Sequence, residues 1–257
     1  MTVTVLTENT SADPRLGCEH GLSLYIEACG LRLLFDMGQS ELFARNARLL
    51  GVDLEKVDLA VISHGHYDHG GGLATFLNRN SHAPVYLSCY AFEPHFNAAG
   101  KDIGLDPSLK RAERLRPVKG KVELAPGVTL YSHCPRPYGV DSAGQSFEAE
   151  GRRLPEDFRH ELYLMLEEKG KRVLISGCSH GGIRNIAEHF RPDVLIGGFH
   201  FFKRPLDETL AKEAVALGGL GIRFYTGHCT GEAQLAFLRP LIPNLQAFRT
   251  GDVLHGI

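Results

Sequence analysis

Apolar residues recur along this chain in two rhythms. Short apolar runs predict strands at Val3–Leu6, Leu22–Glu27, Leu31–Phe35, Leu59–Ile62, Val85–Leu87, Val128–Tyr131, Leu162–Leu166, Val173–Ile175, Val194–Ile196 and Arg223–Tyr225. Helical spacing predicts helices over Glu41–Leu50, Gly72–Asn78, Gly182–Phe190, Leu206–Leu217 and Gly231–Leu238. Strand pairs dominate the early half, and strand alternates with helix in the late half. That mixture is an α+β pattern, a sheet core with helices packed outside it. Residues 134–160 follow neither rhythm and predict a loop excursion from one domain spanning 1–257. The charge run Lys110–Arg116 predicts a solvated helix face.

Four of the apolar runs end alike, in a turn that delivers a histidine. They are Leu59-Ala-Val-Ile-Ser-His64, Val173-Leu-Ile-Ser-Gly-Cys-Ser-His180, Val194-Leu-Ile-Gly-Gly-Phe-His200 and Phe224-Tyr-Thr-Gly-His228. Sheets bring strand ends to a common edge, where ligands gather. The first run continues as His64-Gly65-His66-Tyr67-Asp68-His69, an unusual density of imidazole and carboxylate. Zinc-type or iron-type cations need such donors. His64 and His66 share a face of an extended segment, and Asp68 and His69 point elsewhere. The cluster can therefore serve two metal positions, each needing further ligands from other strands.

This His-x-His-x-Asp-His signature after an apolar strand resembles that of the metallo-β-lactamase superfamily. Glu19-His20-Gly21-Leu22-Ser23, Leu34-Phe35-Asp36-Met37-Gly38, Gly177-Cys178-Ser179-His180-Gly181-Gly182, Gly197-Gly198-Phe199-His200 and His228-Cys229-Thr230-Gly231 extend the likeness. Together they resemble a branch named for a dihydropterin-ribofuranosylaminobenzene 5′-phosphate synthase. The resemblance implies a four-layer αββα sandwich with a metal site at one edge of two packed sheets. It implies metal ligation by His64, His66, Asp68 and His69, with His228 joining Asp68 and His69 on the second metal. Asp36 is expected to support the His-motif loop. The chain lacks the third first-metal histidine usual before Leu162–Leu166, where Pro155–Glu161 stands instead. His180 is the expected replacement, with His160 and His133 as outside candidates. Cys178 occupies the place of the usual bridging aspartate and is a candidate thiolate ligand.

The resemblance implies a metal-dependent hydrolase of a small ester, lactone or phosphate-bearing substrate. With only one metal bound, Asp68 would orient or accept the proton of the attacking water, and His200 would hydrogen-bond a substrate oxygen. A synthase of the branch's kind and a non-catalytic metal sensor are the alternatives. One or two zinc ions suit the donors, and iron or manganese are possible. The Gly181-Gly182 and Thr230-Gly231 turns are candidate anion sites at helix starts.

Charge narrows the partners. The 28 Lys and Arg against 30 Asp and Glu give −2, which offers no bulk attraction to nucleic acid or anionic lipid. No run reaches a membrane-span length, and the amino terminus lacks the basic end and apolar core of a secretory leader. Six cysteines in no scaffold spacing predict a reduced, cytoplasmic chain. The expected partner is a small molecule, with anionic ones among the candidates.

Overall fold

The structure, a computed structural model, describes residues 1–11 and 13–257. Two seven-stranded sheets form its centre. The first runs in the order Val253–His255, Thr2–Thr7, Ser23–Ala28, Leu31–Phe35, Leu59–Val61, Val85–Ser88, Leu115–Val118. The second runs Leu245–Ala247, Arg223–Thr226, Val194–Ile196, Lys171–Ser176, Tyr163–Glu168, Val128–Tyr131, Lys121–Ala125.

Period-two alternation sorts the side chains of each sheet onto two apolar faces. Leu24, Ile26, Leu33, Phe35, Leu59 and Val61 of the first sheet meet Leu164, Leu166, Val173, Ile175, Val194 and Ile196 of the second in one buried cluster. The alternate residues Tyr25, Leu34 and Ala60 face outward onto helices Leu42–Leu49 and Leu73–Arg79. Met165, Leu174, Leu195 and Phe224 face helices Ile183–Phe190 and Glu208–Gly218. Helix, sheet, sheet, helix is the αββα sandwich. Both faces of the inner strands are covered, so they read as continuous apolar runs. Each fully buried Leu, Ile, Val or Phe contributes about 1.5–3 kcal/mol.

Three expectations need correction. The 134–160 excursion is partly strand: Ser146–Ala149 and Arg152–Pro155 form a hairpin, and Ser146-Phe147 also pairs with His95–Phe96. Every residue of Arg152–Pro155 is exposed, so it carries no alternation to read. The run Lys110–Arg116 is not a helix face. Asp106 caps a short 3-10 turn, Pro107–Arg111, and Leu115–Val118 is an edge strand, where Pro117 is tolerated. The helix expected from Leu206 starts at Glu208, because the Asp207 side chain accepts from the Leu210 amide. Among the described residues, no helix is long and apolar enough to cross a membrane.

Candidate metal centre

Strand direction brings the histidines together. Leu59–Val61 runs parallel to Leu31–Phe35. Lys171–Ser176, Val194–Ile196 and Arg223–Thr226 are parallel neighbours joined by helices. The segments that leave these strands converge at one edge of the sandwich. The approach is tight: a Cβ on Gly177 would lie 2.2 Å from Ser63 Oγ and 3.1 Å from His64 Nδ1. Asp36, Ser179, His200 and His228 all hold positive φ, between 48° and 60°. Such non-glycine backbone costs about 1–3 kcal/mol per residue and concentrates where function demands it.

Cys178 is where two donor groups meet. One ligand atom each from His64, Cys178 and His180 lie within 4.8 Å of one another, and so do those of His69, Cys178 and His228. Cys178 Sγ is 3.2 Å from His69 Nε2, which is 3.2 Å from His228 Nε2. Asp68 Oδ2 lies 3.3 Å from His228 Nε2 and 3.7 Å from His69 Nε2. The His66 ring centroid is 4.6 Å from His64 and 5.1 Å from His180. Among the described residues, His64 Nε2, His66 Nε2 and both His180 nitrogens are buried without a hydrogen-bond partner. Orphaned imidazole nitrogens around a thiol and a carboxylate are a donor set that fits a transition metal.

Outer partners hold these donors. His69 Nδ1 lies 2.7 Å from Asp36 Oδ2, and Asp36 also accepts from the Ser63 amide and hydroxyl at 2.7 Å each. His64 Nδ1 faces Ser63 Oγ at 2.8 Å, and His228 Nδ1 faces Asn9 Oδ1 at 2.8 Å. Glu8, itself buried, accepts the His228 amide. Each contact fixes a ring so that its far nitrogen points into the centre.

Burial sets the protonation. It pushes His64 and His180 well below 6.5, His66 down to about 3, and His200 and His228 to about 4. These rings are neutral at pH 7, as ligation requires. Burial also opposes charge on His69, but Asp36 and Asp68 outweigh it and raise that ring to about 9. Burial disfavours the Asp68 carboxylate too, yet His69, His20 and His228 hold it well below 3.8. Burial, then Cys229, drives the Cys178 thiol well above 9. A group whose folded pKa is depressed contributes stability above its unfolded value that is lost as pH falls. Metal-free protein should therefore lose thermal stability as pH falls from 6.5 toward 4. Melting curves in chelator from pH about 8 to about 4 check this, and a flat profile contradicts it.

The remaining residues sort plainly. His200 is partly exposed, its ring centroid 4.3 Å from His180. His133 is exposed and joins no donor group among the described residues. His160 instead sits with His66, His95 and Glu156, all buried. The Gly65 amide donates to His160 Nδ1 at 2.7 Å, so the neutral ring carries its proton on Nε2, 3.5 Å from Glu156 Oε1. His160 is thus held through Nδ1 by the Gly65 amide, while its Nε2, like His95 Nε2, is buried without a hydrogen-bond partner among the described residues. The Gly181 amide is taken by Glu161 and the Gly182 amide by Ser179, so that turn offers no free cradle. Sequence reasoning missed His20, whose Nε2 is 3.3 Å from Asp68 Oδ2, and the partners Glu8, Asn9, His95 and Glu161. Beside the centre a cavity of about 1010 Å³ opens, lined by His180, His200, Tyr138, Phe202, Lys203 and Arg184 among others.

Comparison with known proteins agrees with this geometry. The sequence profile described as Metallo-beta-lactamase superfamily matches residues 16–228. The crystal structure of Tm1679, described as a metal-dependent hydrolase of the beta-lactamase superfamily, superposes with TM-score 0.86 at 30% identity, covering 99% of this chain and 98% of that one. A 7,8-dihydropterin-6-methyl-4-(beta-D-ribofuranosyl)-aminobenzene-5'-phosphate synthase of Methanocaldococcus jannaschii is 27% identical over 92% of this chain and 90% of its own. An uncharacterized protein of the same organism is 28% identical over 77% of this chain and 78% of its own.

Proposed function

This chain belongs to the metallo-beta-lactamase superfamily, and from that premise we propose that it is a metal-dependent hydrolase of a small ester, lactone or phosphate-bearing substrate. The observation that carries the reading is the convergence of two donor groups on Cys178. His64, His66 and His180 would hold one ion, and Asp68, His69 and His228 a second, with the Cys178 sulfur between them. Sulfur and imidazole donors favour zinc over iron or manganese. Metal held there supplies Lewis acidity and a water acidic near neutral pH, with pKa about 7.

The protein's own residues do the rest. With one ion bound, Asp68, kept ionised by its histidine neighbours, would orient or accept the proton of the attacking water; with two, it would be a ligand of the second. His200 lines the cavity beside His180 and is neutral, so it can donate one hydrogen bond to a substrate oxygen. Tyr138 and Phe202 offer the substrate ring faces, and Lys203 offers a cation for an anionic group.

Metal-loaded protein is expected to hydrolyse at least one class in a panel of esters, lactones and phosphodiesters. Chelation should abolish the rate, and added zinc should restore it. Full metal content with no turnover across the panel sinks the hydrolase reading. A synthase reaction is the second reading, supported by the synthase relative's near full-length match and by a cavity larger than a simple ester fills.

A further inference from the structure

Pro155–Glu161 stands where a third first-metal histidine would be expected, and the short segment Phe158–Leu162 within and beyond it touches both histidine loops. On one side, His160 Nδ1 accepts the Gly65 amide at 2.7 Å, between His64 and His66, and the Leu162 amide donates to Ser63 O at 2.6 Å. On the other, Glu161 Oε1 accepts the His180 amide at 2.7 Å and Oε2 the Gly181 amide at 2.8 Å. Tyr163 donates its hydroxyl to Oε2 at 2.5 Å, which anchors the carboxylate to the second sheet. The Phe158 ring lies flat on His180, centroids 4.3 Å apart and planes 7° apart. Both His160 and Glu161 are buried, at 0% and 1% exposure.

We infer that Phe158–Leu162 is a clamp, and that His160 and Glu161 are positioning residues that set the separation of the His64–His66 loop from the Cys178–His180 loop. The two loops come from different sheets, and sheet packing alone does not fix side chains to the tolerance a metal shell needs, about 0.5 Å. The clamp's hydrogen bonds to the two loops go to backbone groups, which leaves the Nε2 atoms of His64, His66 and His180 without a hydrogen-bond partner among the described residues. A carboxylate suits the Glu161 position because it has only acceptors to offer two N–H groups and one O–H. A glutamine there would turn an amide N–H toward a backbone N–H. The chain has thus exchanged an expected ligand for a brace and moved ligation to His180.

This inference rests on the proposed metal centre, and competition with a chromophoric zinc chelator separates the two. Wild type should bind two ions. Glu161→Gln and His160→Ala should weaken one of them by about 10–100-fold and leave the other unchanged. His160→Asn should restore most of the loss, because its side-chain oxygen can take the Gly65 amide. Folded variants that bind both ions as wild type does overturn the clamp and leave the hydrolase reading standing. A wild type that takes up no metal overturns the reading itself. Should the variants not fold, hydrogen exchange of metal-free wild type decides: the Gly65, His180 and Gly181 amides should exchange slowly. Rapid exchange at these three overturns the clamp.

Discussion

His180→Ala is expected to cut kcat/KM for hydrolysis by about 1000-fold or more and to remove one equivalent of metal. A 1000-fold loss corresponds to roughly 4 kcal/mol of transition-state stabilisation. Of the other candidates, His133 is exposed and His160 has its Nδ1 taken by the Gly65 amide. The same change should not unfold the metal-free chain. Both His180 nitrogens lack protein partners among the described residues, so the truncation breaks no side-chain hydrogen bond. Losing its stack on Phe158 costs about 0.5–1.5 kcal/mol. The melting temperature in chelator should therefore change by only a few degrees, about the cost of the lost stack, while activity collapses. A variant that keeps both its metal and its rate would remove His180 from the centre. A variant that loses activity by melting would show that its role is packing.

The sandwich was legible because the sheets are buried on both faces. Val173–Ile175 and Val194–Ile196 are apolar runs between glycine-bearing turns, and nothing else explains them. The hairpin Ser146–Pro155 was not legible, because one of its strands is wholly exposed and only Phe147 and its neighbours lean inward. At the site, strand ends announced His64, His180 and His228, since a histidine after a buried strand lands at the sheet edge. Contacts made through backbone atoms left no such mark. Glu161 acts on amides, and His95 follows a two-residue strand without pattern. Glu8 and Asn9 follow the first strand, but carry acid and amide side chains common in any loop. A composition scan sees such residues as ordinary turn chemistry.

Asp36→Asn should destabilise the metal-free protein by about 3–5 kcal/mol, the usual cost of breaking a buried charged pair. For a domain of this size that lowers the melting temperature by roughly 10 °C. The carboxylate is fully buried and accepts three hydrogen bonds, from the Ser63 amide, the Ser63 hydroxyl and His69. Asparagine tolerates the positive φ of 60° at this position, so backbone strain does not account for the loss. It keeps one acceptor but sets an N–H₂ against the hydroxyl or the ring. The pH dependence identifies the cause. His69 has its folded pKa raised to about 9 by Asp36 and Asp68, against the pull of burial. A raised pKa contributes stability that is complete below the unfolded value of 6.5 and is lost as pH rises through about 9. The gap between wild type and Asp36→Asn should therefore be widest at or below pH 6.5 and should narrow toward pH 9. Metal affinity of the His69 position should fall about 10–100-fold in parallel, because the ring loses the partner that orients it. Denaturant midpoints of both proteins, measured in chelator across that range, test the argument. A gap independent of pH would mean that Asp36 acts through Ser63 alone, bracing the loop without charging the ring.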